Sequence, residues 1–264
     1  VTEYLSEEKI QTKRTMVSIL AMVVGCFSKA VYIPFLALYW LMPKDKFYSR
    51  RQKNLFKAGI FVLLILMFAS FILPLIGNVT SGAEVGDYRG GDTSQTSQLS
   101  MILGYPLTYT GVLLKSLGTT FASYFIGSKV LANFAYRGIY DGIGYFVVLL
   151  TMLFTFVTDF GMTEKTYDAQ MKRKILMMKI WNAVLIFGTA CLVWTALYLD
   201  FTPVGSMVIN GVSPRYYLPL IFPLSLIFIN QKVRCSMKLE NYQSLIAFLM
   251  LIGTGISIYC LMLA

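Results

Sequence analysis

Long apolar runs separated by short polar stretches organise this chain. They fall at 15–27, 30–42, 55–76, 140–158, 175–199, 214–230 and 244–264, and they predict an all-α, polytopic transmembrane helix bundle. Segment 55–76, interrupted only by Lys57 and Pro74, is a full crossing. The run 15–42 is different, because Gly25, Ser28, Lys29 and Pro34 break it and basic residues flank it on both sides. Lys9, Lys13 and Arg14 precede it; Lys44, Lys46, Arg50, Arg51 and Lys53 follow. A single crossing would place one basic cluster outside, against the positive-inside tendency, whereas a hairpin keeps both inside. We therefore expect two short helices of roughly 20 Å each, with Lys29 at a tip that stops short of the far face. The competing arrangement is one long tilted helix with Lys29 paired to a neighbour's carboxylate.

Residues 77–139 read as an external loop carrying interfacial helices. Its first part is rich in Gly, Ser and Thr and holds Glu84, Asp87, Arg89 and Asp92. From Gln98, apolar residues at Leu99, Ile102, Leu103, Leu107, Leu113, Leu114 and Leu117 recur at helical spacing around Pro106, as in one or two helices lying in the outer interface. Phe121, Tyr124, Phe125, Phe134 and Tyr136 continue as an aromatic belt. The alternative for Gly111 to Gly127 is a short span. Asn78-Val79-Thr80 matches a glycosylation sequon, a three-residue pattern that arises readily by chance.

The stretch Gly211 to Leu224 (Gly-Val-Ser-Pro-Arg-Tyr-Tyr-Leu-Pro-Leu-Ile-Phe-Pro-Leu) places a cation at the start of a membrane helix. Ser213 suits the N-cap and Pro214 the first helical position, so Arg215 falls in the first turn, where unpaired amides and the helix dipole favour an anion. The apolar run from Tyr216 to Ile229 rises only about 21 Å, which would set Arg215 below the outer surface. The plainer reading is that Arg215 snorkels to the interface and that Pro219 and Pro223 only bend the helix.

Composition narrows the classes. Of 264 residues, 56% are hydrophobic, and the formal charge is +10. That charge sits in short loops between apolar blocks, so it reports topology rather than nucleic-acid binding. Of the 23 Lys and Arg, the proposed outer segments hold Arg89, Lys115, Lys129, Arg137 and Arg215; Lys29 marks the tip, and the others lie on inner segments. Histidine is absent, which excludes imidazole catalysis and histidine-ligated metal. The four cysteines show no paired spacing, so neither a disulfide framework nor a zinc site is expected. No metal and no cofactor is expected. No nucleophile, base and orienting acid stand at a recognisable spacing. The external carboxylates Glu84, Asp87, Asp92, Asp141 and Asp200 are the candidate bases, and a solvated loop is the plainer reading of the first three.

The runs Gly211-Val-Ser-Pro-Arg-Tyr-Tyr-Leu-Pro-Leu, Gln98-Leu-Ser-Met-Ile-Leu-Gly-Tyr-Pro106 and Ser28-Lys29-Ala-Val-Tyr-Ile-Pro34 resemble the bacterial membrane family of domain of unknown function 2142 (DUF2142), over nearly the whole chain. That family is similar to the GT-C glycosyltransferases, which use polyprenyl-phosphate sugars. The resemblance implies a multi-pass protein of the bacterial cytoplasmic membrane that transfers a sugar to a cell-envelope glycan. Its partners would be the lipid bilayer and a polyprenyl-phosphate-linked sugar, with no nucleic acid. It places Lys29 and Arg215 near the carrier phosphate; from the residues themselves, Tyr216 and Tyr217 could supply hydroxyl donors or stacking faces to a sugar, although tyrosine at an interface is more often a plain anchor, and Gln98 is a further candidate for substrate binding. The catalytic carboxylate of such enzymes follows the first transmembrane helix. Residues 1–14 read as a cytoplasmic linker, so 15–264 is expected to be the C-terminal part of one membrane domain, inactive without its missing N-terminal half. The alternatives are a transporter or flippase for a lipid-linked glycan, and a non-catalytic assembly partner.

Overall fold

In the computed structural model the described residues are 9–27, 29–81, 92–134, 138–158, 169–228 and 236–263. Ser28, Glu84, Asp87, Arg89, Arg137, Lys165, Lys232 and Arg234, together with residues 1–8 of the linker, lie outside them. Among the described residues the chain is helical without a strand. Three helices are long and apolar enough to cross a bilayer, over Arg50–Pro74, Ala169–Phe201 and Leu239–Met262. Ala30–Leu41 and Ile143–Thr158 are apolar but shorter. The helices overrun the apolar segments at several ends because hydropathy marks the lipid-length stretch, whereas the backbone ladder can continue into water.

The chain divides into two compact units. The first comprises Val1–Leu117 and Ala169–Val212, and the second Gly118–Asp168 and Ser213–Ala264.

The first unit is built on the hairpin. Helix α1 (Thr12–Phe27) is followed by a 3-10 helix, η1 (Ala30–Leu41). Tyr39 Oη donates to Ser18 Oγ at 2.9 Å, and at the base Ile10 N–H donates to the Lys46 carbonyl at 2.9 Å. Both pairings are centred on residues 28–29, so the legs run antiparallel about the expected tip. The second leg departs from expectation. Pro34 lies inside it, removing a backbone donor, and the chain winds 3-10 throughout. Twelve residues at about 2.0 Å rise cover about 24 Å, matching 16 α-helical residues at 1.5 Å, so the tighter winding equalises two legs of unequal length.

Helix α2 (Arg50–Ser81) packs antiparallel to η1. Cys26, Ile33, Leu36 and Met67 form the buried cluster there, with the Phe27 and Phe71 rings 6.2 Å apart at the tip and Trp40 against Phe61 lower down. The tip thus lies level with Phe71, inside the apolar run 55–76. Helix α7 (Ala169–Phe201) covers the other side of η1, its Trp181 Nε1 donating to the Ala37 carbonyl at 3.2 Å. At the base, Lys174 Nζ reaches Asp45 Oδ2 at 2.9 Å. Partial desolvation would raise the Asp45 pKa, but the hydrogen bond and charge of Lys174, with a backbone hydrogen bond and Lys46, outweigh it and hold the carboxyl below its ordinary value.

Helices α3 (Gln95–Gly104) and α4 (Pro106–Phe125) meet at Tyr105, so the expected interfacial stretch is two helices broken before Pro106. In the second unit, α5 (Ser128–Leu131) is one turn, and α6 (Ile143–Thr158) pairs antiparallel with α9 (Leu239–Leu263). Gly144 is a close-approach point, where a Cβ would collide with Ser257 Oγ and the Gly253 carbonyl. Helix α8 (Leu218–Phe228) follows a 3-10 turn at Pro214–Tyr217.

Candidate functional site

Each residue singled out in the sequence has a definite setting, taken unit by unit. Lys29, in the first unit, is half-buried at the hairpin tip. It is the N-cap of η1 in an extended conformation; its N–H donates to the Cys26 carbonyl at 3.1 Å and its carbonyl accepts from Tyr32 N–H at 3.2 Å. The backbone there is held at both sides while the chain reverses.

Gln98 is fully buried on α3. Its Nε2 donates to the carbonyls of Thr202 at 2.9 Å and Pro203 at 3.1 Å, in the segment that follows α7. Two carbonyl partners require the amide nitrogen on that side, which fixes the side-chain orientation and leaves Oε1 without a hydrogen-bond partner among the described residues. One turn earlier Gln95 repeats the pattern, donating from Nε2 to Asp200 Oδ1 at 2.6 Å while its Oε1 is buried and unpaired. Thr93 Oγ1 is likewise buried without a hydrogen-bond partner among the described residues. Ser94 starts α3 as a true N-cap, its side chain accepting from Ser97 N–H.

The facing segment is tightly constrained. Thr202, fully buried, donates from Oγ1 to the Leu197 carbonyl at 3.0 Å and accepts from Asn210 N–H at 3.1 Å. Val204 N–H donates to the Asp92 carbonyl at 3.2 Å. Gly211 has φ +78, and a Cβ there would strike the Phe201 ring, so glycine serves both the backbone and the packing.

In the second unit Arg215 is exposed, its guanidinium carbon 5.8 Å from the centroid of the half-buried Tyr216 ring. Ser213 is the N-cap by position but not by chemistry. Its side chain makes no capping bond; instead its carbonyl accepts from Tyr216 N–H at 3.1 Å, because Pro214 has no N–H and the first turn winds 3-10. Tyr217 is 1% exposed and packs edge-on against Tyr124 and Phe125 at 5.5 and 4.8 Å, which makes its ring a core element of this unit.

Sequence reasoning named Gln98 but not Gln95, Thr93 or Thr202 as its companions. The available signal was local: a Ser94 cap followed by glutamines three residues apart shares one helix face. Which segment that face would meet was not legible from spacing. Among the described residues no cluster of three His, Cys, Asp or Glu could hold a metal ion.

The family model described as "Predicted membrane protein (DUF2142)" matches residues 1–224. No curated protein and no solved structure matches the chain.

Proposed function

The chain belongs to the DUF2142 family of predicted membrane proteins, and from that premise we propose that it binds a lipid-linked phosphate as part of a GT-C-like glycosyltransferase. On this reading it sits in the bacterial cytoplasmic membrane and moves a sugar from a polyprenyl-phosphate donor to a cell-envelope glycan. The observation that carries the proposal is Lys29, a half-buried cation where the hairpin reverses level with Phe71, inside the apolar run 55–76 of α2. A lysine at the edge of the hydrocarbon lies where it can approach an anionic carrier phosphate. Arg215 enters through the resemblance and through its exposure, which leaves its planar fork able to take a phosphate with two parallel hydrogen bonds.

In the transfer, an acceptor hydroxyl oxygen bonds to the anomeric carbon as the carbon–oxygen bond to the carrier phosphate breaks, and the hydroxyl proton passes to a carboxylate. Lys29 is assigned to the charge developing on the departing phosphate, and Arg215 is added by the resemblance alone.

Polyprenyl-phosphate binding by the protein in lipid nanodiscs tests the reading. Lys29→Ala and Arg215→Ala are each expected to weaken binding about tenfold, the effect of losing one charge-assisted hydrogen bond. Unchanged affinity in both variants would sink the proposal.

A further inference from the structure

Two amide oxygens and a hydroxyl at the start of α3, where both glutamines face residues 200–203, are buried without a hydrogen-bond partner among the described residues. Burying a polar oxygen without a hydrogen bond is unfavourable, and natural structures keep few such groups. Three within six residues, Thr93 to Gln98, therefore ask for a ligand. Gln98 commits both amide hydrogens to Thr202 and Pro203 and Gln95 commits one to Asp200, so the capacity left in the seam is mostly acceptor oxygen. The complement is a group rich in donors.

The geometry points to a binding site for a neutral polyhydroxyl group, whose hydroxyls donate to Gln95 Oε1, Gln98 Oε1 and Thr93 Oγ1. Asp200 positions Gln95 through the 2.6 Å bond, and Thr202 with Pro203 positions Gln98. A neutral group suits the seam better than a metal ion: of the six residues only Asp200 carries a formal charge, and amide and hydroxyl oxygens accept from hydroxyls without stripping the hydration shell of an ion. Vicinal hydroxyls come from a saccharide in solution or from a lipid headgroup such as phosphatidylglycerol. This site does not depend on the transferase reading, because Lys29 and Arg215 take no part in it.

The decisive variant is Thr93→Val, which exchanges the hydroxyl for a methyl of the same shape. Removing an unpaired buried oxygen leaves the ligand-free protein as stable as before or more so, whereas removing a ligand contact weakens binding. A merely structural threonine would move stability the other way. Gln98→Met is the second variant.

Saturation-transfer NMR with methyl β-D-glucopyranoside is run on protein in phosphatidylcholine nanodiscs, and retention of phosphatidylglycerol is measured by native mass spectrometry. The expected result is transfer to the sugar ring protons that falls about fivefold in Thr93→Val, with no loss of melting temperature, and further in Gln98→Met. Absence of sugar transfer combined with phosphatidylglycerol retention that both variants reduce also supports the site and assigns it to a lipid headgroup. Sugar and lipid signals indifferent to both substitutions would overturn the inference and leave the seam to ordered water.

Discussion

The seam at Gln98 and the α6–α9 pair both bury polar atoms, yet they treat them differently. In the pair, Ser257 is 1% exposed and donates to the Gly253 carbonyl at 2.8 Å, while Thr158 Oγ1 and Tyr242 Oη share a 2.8 Å bond. In the seam, Gln98 is equally buried and only half of its amide is used. A helix pair that exists to hold itself together satisfies its polar groups internally; a surface kept for a ligand leaves some of that capacity to the ligand.

That contrast can be broken most severely at Gly144. Gly144→Val puts atoms where Ser257 Oγ and the Gly253 backbone already stand, and because one obstacle is backbone the helices must separate. A loss of about 3 kcal/mol is expected, read as a fall in melting temperature in detergent or nanodiscs. Wild-type stability in that variant would mean the two helices do not approach so closely.

A smaller effect sharpens the comparison. Thr158→Val removes a bond that is made, and should cost about 1 kcal/mol in chemical unfolding. Its counterpart Thr93→Val removes no bond and should cost nothing. Equal losses at the two threonines would erase the distinction between the regions.

The exposed pair at the hairpin base sets the lower end of the scale. Asp45 has a 55% exposed side chain, so its bond to Lys174 contributes well under 1 kcal/mol. The folded-state pKa of Asp45 is depressed, so this contribution is complete above the unfolded value and disappears as pH falls through the folded value. Stability of the wild type and of Asp45→Asn, followed from neutral to acidic pH, should therefore converge at the acidic end. A gap that stays constant with pH would assign the effect of Asp45 to something other than its charge.

How much of this was legible in advance differs residue by residue. A reversal beside Lys29 was one of two arrangements that basic residues on both flanks of one apolar run left open, and the pairings of Tyr39 with Ser18 and of Ile10 with Lys46 are antiparallel legs. The break between α3 and α4 was readable from Pro106. The 3-10 winding of η1 was not: Pro34 marks a missing donor, but local sequence does not say that twelve residues must span the length of sixteen. Ser213 shows the same limit, since a residue suited to capping caps only if the turn after it winds as an α-helix.

The sequence by itself determined that this is a helical membrane protein and where its apolar runs lie, and it narrowed 15–42 to a hairpin with Lys29 at its tip or one tilted helix. Those properties follow from hydropathy, charge placement and proline, which act over a few residues. Only the tertiary structure decided that Tyr217 belongs to a core, that Arg215 is exposed, and that Gln95 and Gln98 meet a segment about a hundred residues away. Burial and hydrogen-bond partnership depend on which distant surface arrives, and no local pattern carries that information.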